Sequence, residues 1–364
     1  MSIRVRLLSI MYTIEPLTFL VINSKRLIHA KHRKWLRSII LTISQKTGKP
    51  KAKIYWDMFI KCFCACALYT DYSFLNLYER PLREMNLYFT HGRFRRVMPY
   101  MKSLKTRALF ANKPAFNQVF ARYIKRDWLY ISEKTTLHEF ESFIQKHQIF
   151  VAKPVNLNQG SGIWLVDSSE YSSSDVLYNL LIEKDTRLIE ERIFNHKELD
   201  KFSSTSLNTV RIITLKLPEG VKIIRAFLKF NLSGSIADNV KHLSYSCPID
   251  FETGTIIGNI KDQSTKEDFG EYHPSGFRAL GMKIPYWNEA IALAKECTLF
   301  LDDVYLGPWD IAITDDGPLI IEGNNGPSFS FQVSMNCPLN HDMQRARKYA
   351  QKCRKLQKRE NRKK

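Results

Sequence analysis

Between Trp309 and Asn325 the chain reads WDIAITDDGPLIIEGNN, a pattern that a β-hairpin satisfies best. Ile311 to Thr314 and Leu319 to Ile321 are short apolar runs of strand type, and Asp-Asp-Gly between them is turn chemistry. A loop of Asp315, Asp316 and Gly317, with Gly317 in the left-handed position, pairs Thr314 with Pro318 and sets Asp310 opposite Glu322. Side chains two apart on a strand point the same way, so Glu322 and Asn324 share the face of Asp310. Oxygen donors gathered there would suit magnesium, and a divalent cation would relieve two unpaired carboxylates that otherwise raise one another's pKa. The same residues also fit a solvated hairpin with incidental acids.

A chain of 364 residues can bury a sizeable core and hold two or three subdomains. Its formal charge of +19 is placed unevenly: residues 1–55 hold 12 Lys/Arg against Glu15 alone, and residues 344–364 hold 11 against Glu360 alone. The body between is close to neutral, which argues against a nucleic-acid-binding core. The basic ends read first as solvated, partly disordered segments, and they permit peripheral contact with an anionic membrane or an acidic polymer. Leu7 to Asn23 is apolar but broken by Glu15-Pro16, and Met58 to Leu68 is shorter than the ~20 residues of a membrane span. Arg4 and Arg6 could open a secretory signal, yet no small-residue cleavage site follows. Cys62, Cys64 and Cys66 lie in an apolar run at a spacing that does not gather three thiolates on a helix, so a buried helix and a reducing cytoplasm are expected.

The texture changes along the chain. Residues 1–105 read as mainly helical with a break at Glu79-Arg80-Pro81, residues 106–186 and 187–343 as two mixed lobes, and residues 344–364 as a basic tail. Strand-type runs occupy Ile149 to Ala152, Ile163 to Val166, Leu188 to Glu190, Val210 to Leu217 and Val221 to Phe230, with helices at Leu137 to Lys146 and Trp287 to Asp302. Leu217-Pro218-Glu219-Gly220-Val221 reads as a hairpin turn. Hairpins mixed with helices indicate an α+β class rather than a doubly wound parallel sheet.

Further motifs lie upstream of the hairpin. Phe150 to Asp167 is a strand ending in Lys153, a polar loop Asn158-Gln159-Gly160-Ser161-Gly162, and a second strand. Glycines let backbone N–H groups approach phosphate oxygens and a lysine adds a point charge, although an ordinary hairpin turn looks the same. The loop is not of Walker type, because GK[ST] is absent. An apolar strand runs into Glu190-Glu191, with Glu198 further on; both also read as surface charge. Arg211 enters a nearly continuous apolar strand, so it needs an anion, either a structural carboxylate or a phosphate. Asn239 lies in a polar loop. His91, His196, His242 and His273 are scattered and read as structural, and no Ser-His-Asp or Cys-His set stands out.

The order of these pieces resembles the ATP-grasp superfamily and, within it, the sugar-transfer-associated ATP-grasp family found with polysaccharide biosynthesis. The likeness runs from about Tyr69 to Leu339. It implies an ATP-grasp fold of two α+β lobes gripping ATP behind an N-terminal helical region. Lys113 and Lys153 would be nucleotide lysines, and Gln159, Gly160, Ser161 and Gly162 the loop over the triphosphate. Glu190, Glu191, Arg192 and Ile193 would form the adenine hinge, and Glu198, with Asp200 as substitute, would contact ribose. Arg211 would stabilise the transferring phosphate with Lys153, Asn239 would orient phosphate or substrate, and Asp310, Glu322 and Asn324 would hold one or two Mg ions, with Mn as a substitute. One departure is the His242-Leu243-Ser244-Tyr245-Ser246 segment, where a small glycine-bearing loop is expected.

The implied reaction is ATP-dependent carboxylate–amine ligation through an acyl phosphate, on a small-molecule or glycan substrate, in the cytoplasm or at the membrane periphery. A kinase phosphorylating a hydroxyl, or a nucleotide-binding scaffold for a glycosyltransferase, are the rival outcomes. Loss of Asp310 is expected to abolish turnover with little loss of folding stability.

Overall fold

The computed structural model describes residues 23–26, 28–155, 162–232, 244–262, 267–327, 331–334 and 338–360. The chain divides into two compact units, one of residues 1–101 with 328–364 and the other of residues 102–327.

The described part of the first unit contains helices joined by turns and no strand. Helices Ala30–Thr47 and Lys51–Ala65 turn about Gly48, whose left-handed backbone (φ 70°) ends the first of them. Ile39, Ile40, Ile43, Ile54, Met58 and Cys62 meet in their common core, so the run containing Cys62 is helical as expected. Distant parts of the chain join here through Gln332, whose buried amide bonds both backbone groups of Phe89, at 2.7 and 2.9 Å. Residues 344–360, read from composition as a charged tail, lie in the helix Asn340–Glu360. Met343, Ala346 and Ala350 recur at helical spacing and are buried, a narrow small-residue stripe that the abundance of Lys and Arg conceals.

The second unit holds two antiparallel sheets. Strands β1 (Trp128–Tyr130), β2 (Ile149–Lys153), β3 (Trp164–Asp167) and β4 (Leu188–Glu191) form the first, in the order β1-β4-β2-β3. Helices Leu137–Lys146 and Ser174–Glu183 supply Phe140, Phe143, Leu177 and Leu181 to a core with Phe150, Val166 and Ile189. Thr136 and Glu139 form a capping box that starts the first of these helices.

Strands β5 (Thr209–Leu217), β6 (Gly220–Asn231), β7 (Ser244–Ile249), β8 (Lys261–Asp262), β9 (Leu306–Thr314) and β10 (Gly317–Gly323) form the second sheet, in the order β10-β9-β5-β6-β7-β8. Nearly every residue of β5 and β9 is buried, which is why their sequences run apolar without alternation. Helix Trp287–Phe300 contributes Ala290, Leu293, Ala294 and Cys297 to the core of this sheet.

The structure is therefore of the α+β class, with hairpins where the sequence places them. Leu217 pairs with Gly220 across the Pro218-Glu219 turn. Three strands escape the sequence reading: β1 is only three residues long and β8 only two, and Ser244 to Ser246, standing where a glycine-bearing loop is expected, opens strand β7. Polar serines flank Tyr245 there, and pairing with β6 rather than apolar character makes the segment a strand.

Candidate active site

The β9–β10 hairpin reaches the expected pairing by a different route. Its turn has two residues, since Thr314 pairs with Gly317 and Pro318 with Ile313. That register alone would leave Glu322 one position out. A bulge between Ile320 and Glu322 restores it, so that Glu322 does face Asp310. Gly317 takes a positive φ of 103° at the turn, as its sequence position suggests. Gly323 is constrained by packing, because a Cβ there would lie 2.5 Å from the Phe110 ring.

Asp310 also faces Arg211 across β5, so Glu322, Asp310 and Arg211 form a row over three neighbouring strands. Arg211 donates from Nε to Asp310 Oδ1 at 2.5 Å and from Nη2 to Oδ2. Lys229 of β6 lies opposite Thr209 and brings Nζ to 3.4 Å from Asp310 Oδ2. The two acids are therefore not the unpaired carboxylates inferred from the hairpin alone. Burial would raise the Asp310 carboxyl, but the charges of Arg211 and Lys229 outweigh it and hold the group well below the usual carboxylate range. Glu322 is shifted the other way, upward, by burial first and by the charge of Asp310 second.

The Asn324 amide donates to Glu322 Oε1 at 3.2 Å and to Asp310 Oδ2 at 3.4 Å. Rotated by half a turn, it presents its oxygen to the same point. Two carboxylates and an amide oxygen are the donor chemistry of a hard divalent ion, and a cation beside Glu322 would favour the ionised form that burial disfavours. The residues present thus fit magnesium, with Glu322, Asn324 and Asp310 as the holders. Lys102 anchors this end of the hairpin: its buried Nζ donates to the Asn324 carbonyl at 2.6 Å and lies 4.1 Å from the centre of the Phe110 ring.

A cleft of ≈ 560 Å³ between the two sheets joins this row to Lys113, Lys153 and the segment from Glu190 to Ile193. Val151, Lys153, Leu165 and Glu190 to Asn195 line it from the first sheet and its following segment; Arg211, Asp310, Ile321, Glu322 and Asn324 line it from the second. Lys113 enters from the start of helix Lys113–Val119, where Asn112 caps the helix by accepting from Ala115 N–H at 3.0 Å. Its Nζ donates to the Pro154 carbonyl at 3.2 Å. Burial lowers the Lys113 pKa and the charge of Lys153 adds to the effect, against Glu322 and Glu190, so an anion arriving there meets a poorly solvated cation.

Glu190 and Glu191 are separated by strand alternation. The Glu191 carboxylate accepts from Asp127 N–H at 2.9 Å. The Glu190 carboxylate is buried among Lys153 Nζ, Asn117 Nδ2 at 2.8 Å and the Arg126 guanidinium at 3.1 Å. Its side chain therefore orients Lys153 from within the core. Arg192 and Ile193 line the cleft beyond it.

The ribose contact expected of Glu198 does not fit its placement. Glu198 pairs with Lys201 at 2.6 Å with its side chain about half exposed, whereas Asp200 lines the cleft and accepts from Asn195 Nδ2 at 3.1 Å. At the short helix Lys197–Asp200, Glu198 and the following Lys201 form an i, i+3 pair, and neither is among the residues that line the cleft. Glu198→Ala is accordingly expected to leave the KM for ATP within about twofold, the range of a solvated ion pair, while Asp200→Ala raises it severalfold. Steady-state titration of ATP against both variants checks this, and a larger effect at Glu198 would put the ribose contact there.

Gln159, Gly160, Ser161, Asn239 and His242 lie outside the described residues. Gly162 is described, with a left-handed backbone at φ 76°. Lys229, Asn117, Lys102 and Arg126 were missed in the sequence. Strand parity counted from the Leu217–Gly220 turn would put Lys229 on the face away from Arg211; a register shift between Ile213 and Thr214, which nothing in the sequence marks, brings it opposite Thr209 and onto the Arg211 face. Arg126, inside Lys125-Arg126-Asp127, looks like any solvated turn.

The family model described as sugar-transfer associated ATP-grasp matches residues 95–348, more than two thirds of the chain. The chain belongs to the sugar-transfer associated ATP-grasp family. No curated protein matches its sequence significantly. Among solved structures, this ATP-grasp chain is similar to the D-alanine-D-alanine ligase from Coxiella burnetii, with 11% identity and a TM-score of 0.44 over 71% of this chain and 64% of that one. It is also similar to VanG D-Ala:D-Ser ligase from Enterococcus faecalis, with 16% identity and a TM-score of 0.40 over 66% of this chain and 61% of that one. A third likeness is to the ATP-grasp ligase PsnB, solved with minimal precursor, Mg and ADP, with 12% identity and a TM-score of 0.40 over 67% and 61%. The matched part thus spans less than two thirds of these proteins' lengths. No described helix of this ATP-grasp chain is long and apolar enough to cross a membrane.

Proposed function

We propose that this ATP-grasp protein is an ATP- and magnesium-dependent carboxylate–amine ligase that modifies a sugar or glycan precursor. The observation that carries the reading is the Glu322–Asp310–Arg211 row opening into the same cleft as Lys113 and Lys153, in a chain of this family. Magnesium, when bound, would neutralise and orient phosphate oxygens.

In the first step an oxygen of the substrate carboxylate bonds to the γ-phosphorus of ATP. The bond from that phosphorus to the β,γ-bridging oxygen breaks, giving an acyl phosphate and ADP. An amine then attacks the acyl carbon, inorganic phosphate leaves, and the amine proton passes to solvent. Neither step needs a protein nucleophile. Lys113, Lys153 and Arg211 serve by placing positive charge around the transferring phosphoryl group. Glu190 fixes Lys153, and Asp310 fixes Arg211, through direct ion pairs.

The test is release of ADP and inorganic phosphate from purified protein given ATP, magnesium, and a panel of uronates paired with amines. Ligase activity releases the two in equal amounts and only when both acceptors are present. Labelled γ-phosphate remaining on the product would show a kinase instead, and a protein that binds ATP yet turns over with no pair would refute the ligase reading.

A further inference from the structure

The chain passes from helices packed in the core of the second sheet to the first strand of the other sheet through Lys125, Arg126 and Asp127. Before this point, Phe116, Phe120, Tyr123 and Ile124 belong to the core of the six-stranded sheet; after it, β1 enters the four-stranded one. Lys125 turns the corner with a left-handed backbone (φ 45°), which is uncommon for a side chain of its kind.

Arg126 stands at this crossing, and its guanidinium is divided between the two sheets. Nε and Nη2 donate to the two Glu190 oxygens, each at 3.1 Å, on β4. Nη1 donates to the Ile320 carbonyl at 2.7 Å and Nη2 to the Ile321 carbonyl at 3.2 Å, on β10. The second pair of acceptors sits at the bulge that brings Glu322 opposite Asp310. The first is the carboxylate that holds Lys153. One planar fork thus touches the support of the phosphate lysine and the irregularity that sets the metal-side carboxylate.

We propose that Arg126 is a positioning residue that locks the β10 bulge and so places Glu322 and Asn324, while coupling them through Glu190 to Lys153. This rests on the ATP- and magnesium-binding reading of the cleft. A bulge stabilised from outside the ladder is needed because a regular β9–β10 pairing would return Glu322 to the wrong face. Only arginine has donors enough for a carboxylate and two carbonyls at fixed angles; lysine can satisfy the charge but not the fork.

The experiment uses Arg126→Lys, which keeps a cation beside Glu190 and gives up the bulge contacts. Mn2+ binding is followed by electron paramagnetic resonance in the presence of ADP, and metal-free ADP binding by calorimetry. The expected result is a loss of about 10–100-fold in Mn2+ affinity, the range for removing a group that orients a metal ligand, with metal-free ADP affinity little changed. Equal loss in both titrations, or no loss in either, with the fold retained, overturns the inference by reducing Arg126 to a general structural role. If Arg126→Lys does not fold, Arg126→Gln carries the same two titrations under the same criteria. A natural protein that binds neither ADP nor Mn2+ would overturn the functional reading and this inference together, whereas a variant indistinguishable from it would overturn the inference alone.

Discussion

Asp310→Ala is expected to abolish turnover and to destabilise the fold by about 3–5 kcal/mol, the usual cost of removing one member of a buried ion pair. The sequence predicts the first effect but not the second. A hairpin acid looks removable, yet Asp310 is buried and takes both oxygens into contact with Arg211, with Lys229 beside them. Removing it takes a carboxylate away from two buried cations. Glu322→Gln is the comparison that separates metal binding from folding. Burial and Asp310 push its carboxyl upward, and a glutamine keeps its size and an oxygen to accept from Asn324, so stability should stay within about 1 kcal/mol. Turnover should still fall ~100-fold or more through loss of charge at the phosphates. Denaturant titrations of both variants beside initial rates check the pair, and a stable Asp310→Ala protein with wild-type turnover would remove Asp310 from the site.

The second large effect is expected at Glu190. Glu190→Gln leaves Arg126 and Lys153 facing each other without the buried carboxylate, at a cost of about 3–5 kcal/mol. Burial by itself would raise the Glu190 carboxyl, but Arg126 and Lys153 overcome this and hold it well below the ordinary range. The sign of the pH dependence follows. The contribution of Glu190 is fully present above the pKa of the unfolded glutamate, about 4.3, and is lost as pH falls from there through the depressed folded value. Glu322, raised in the fold, has the opposite sign and loses its contribution as pH rises through its folded value. The stability gap between the natural protein and Glu190→Gln should therefore be wide at pH 7 and narrow under acid conditions. Urea midpoints at a series of pH values measure it. A gap independent of pH would mean that Glu190 is not the ionised centre of this network.

Much of the site was legible because strand periodicity and turn chemistry act over short distances. The pairing of Asp310 with Glu322 was anticipated correctly from a wrong turn: a three-residue loop and a two-residue loop followed by a bulge shift the register by the same amount. Nothing in Leu319-Ile320-Ile321 marks the bulge, because its stabilising donor, Arg126, comes from almost two hundred residues earlier. The roles of Glu198 and Asp200 were ambiguous for a similar reason. Both are acids on one short turn, and only the direction in which that turn faces the cleft distinguishes them.

By itself, the sequence determined the α+β class, the hairpins, the family and the residue types that meet at Asp310, since apolar periodicity, glycine and proline placement and motif order are properties of the linear chain. Only the tertiary structure decided which charges are shared: Asp310 between Arg211 and Lys229, Glu190 between Arg126 and Lys153. Charge pairing in a desolvated interior is set by which strands lie side by side and by what excludes water between them, and neither is written in the spacing of any one segment.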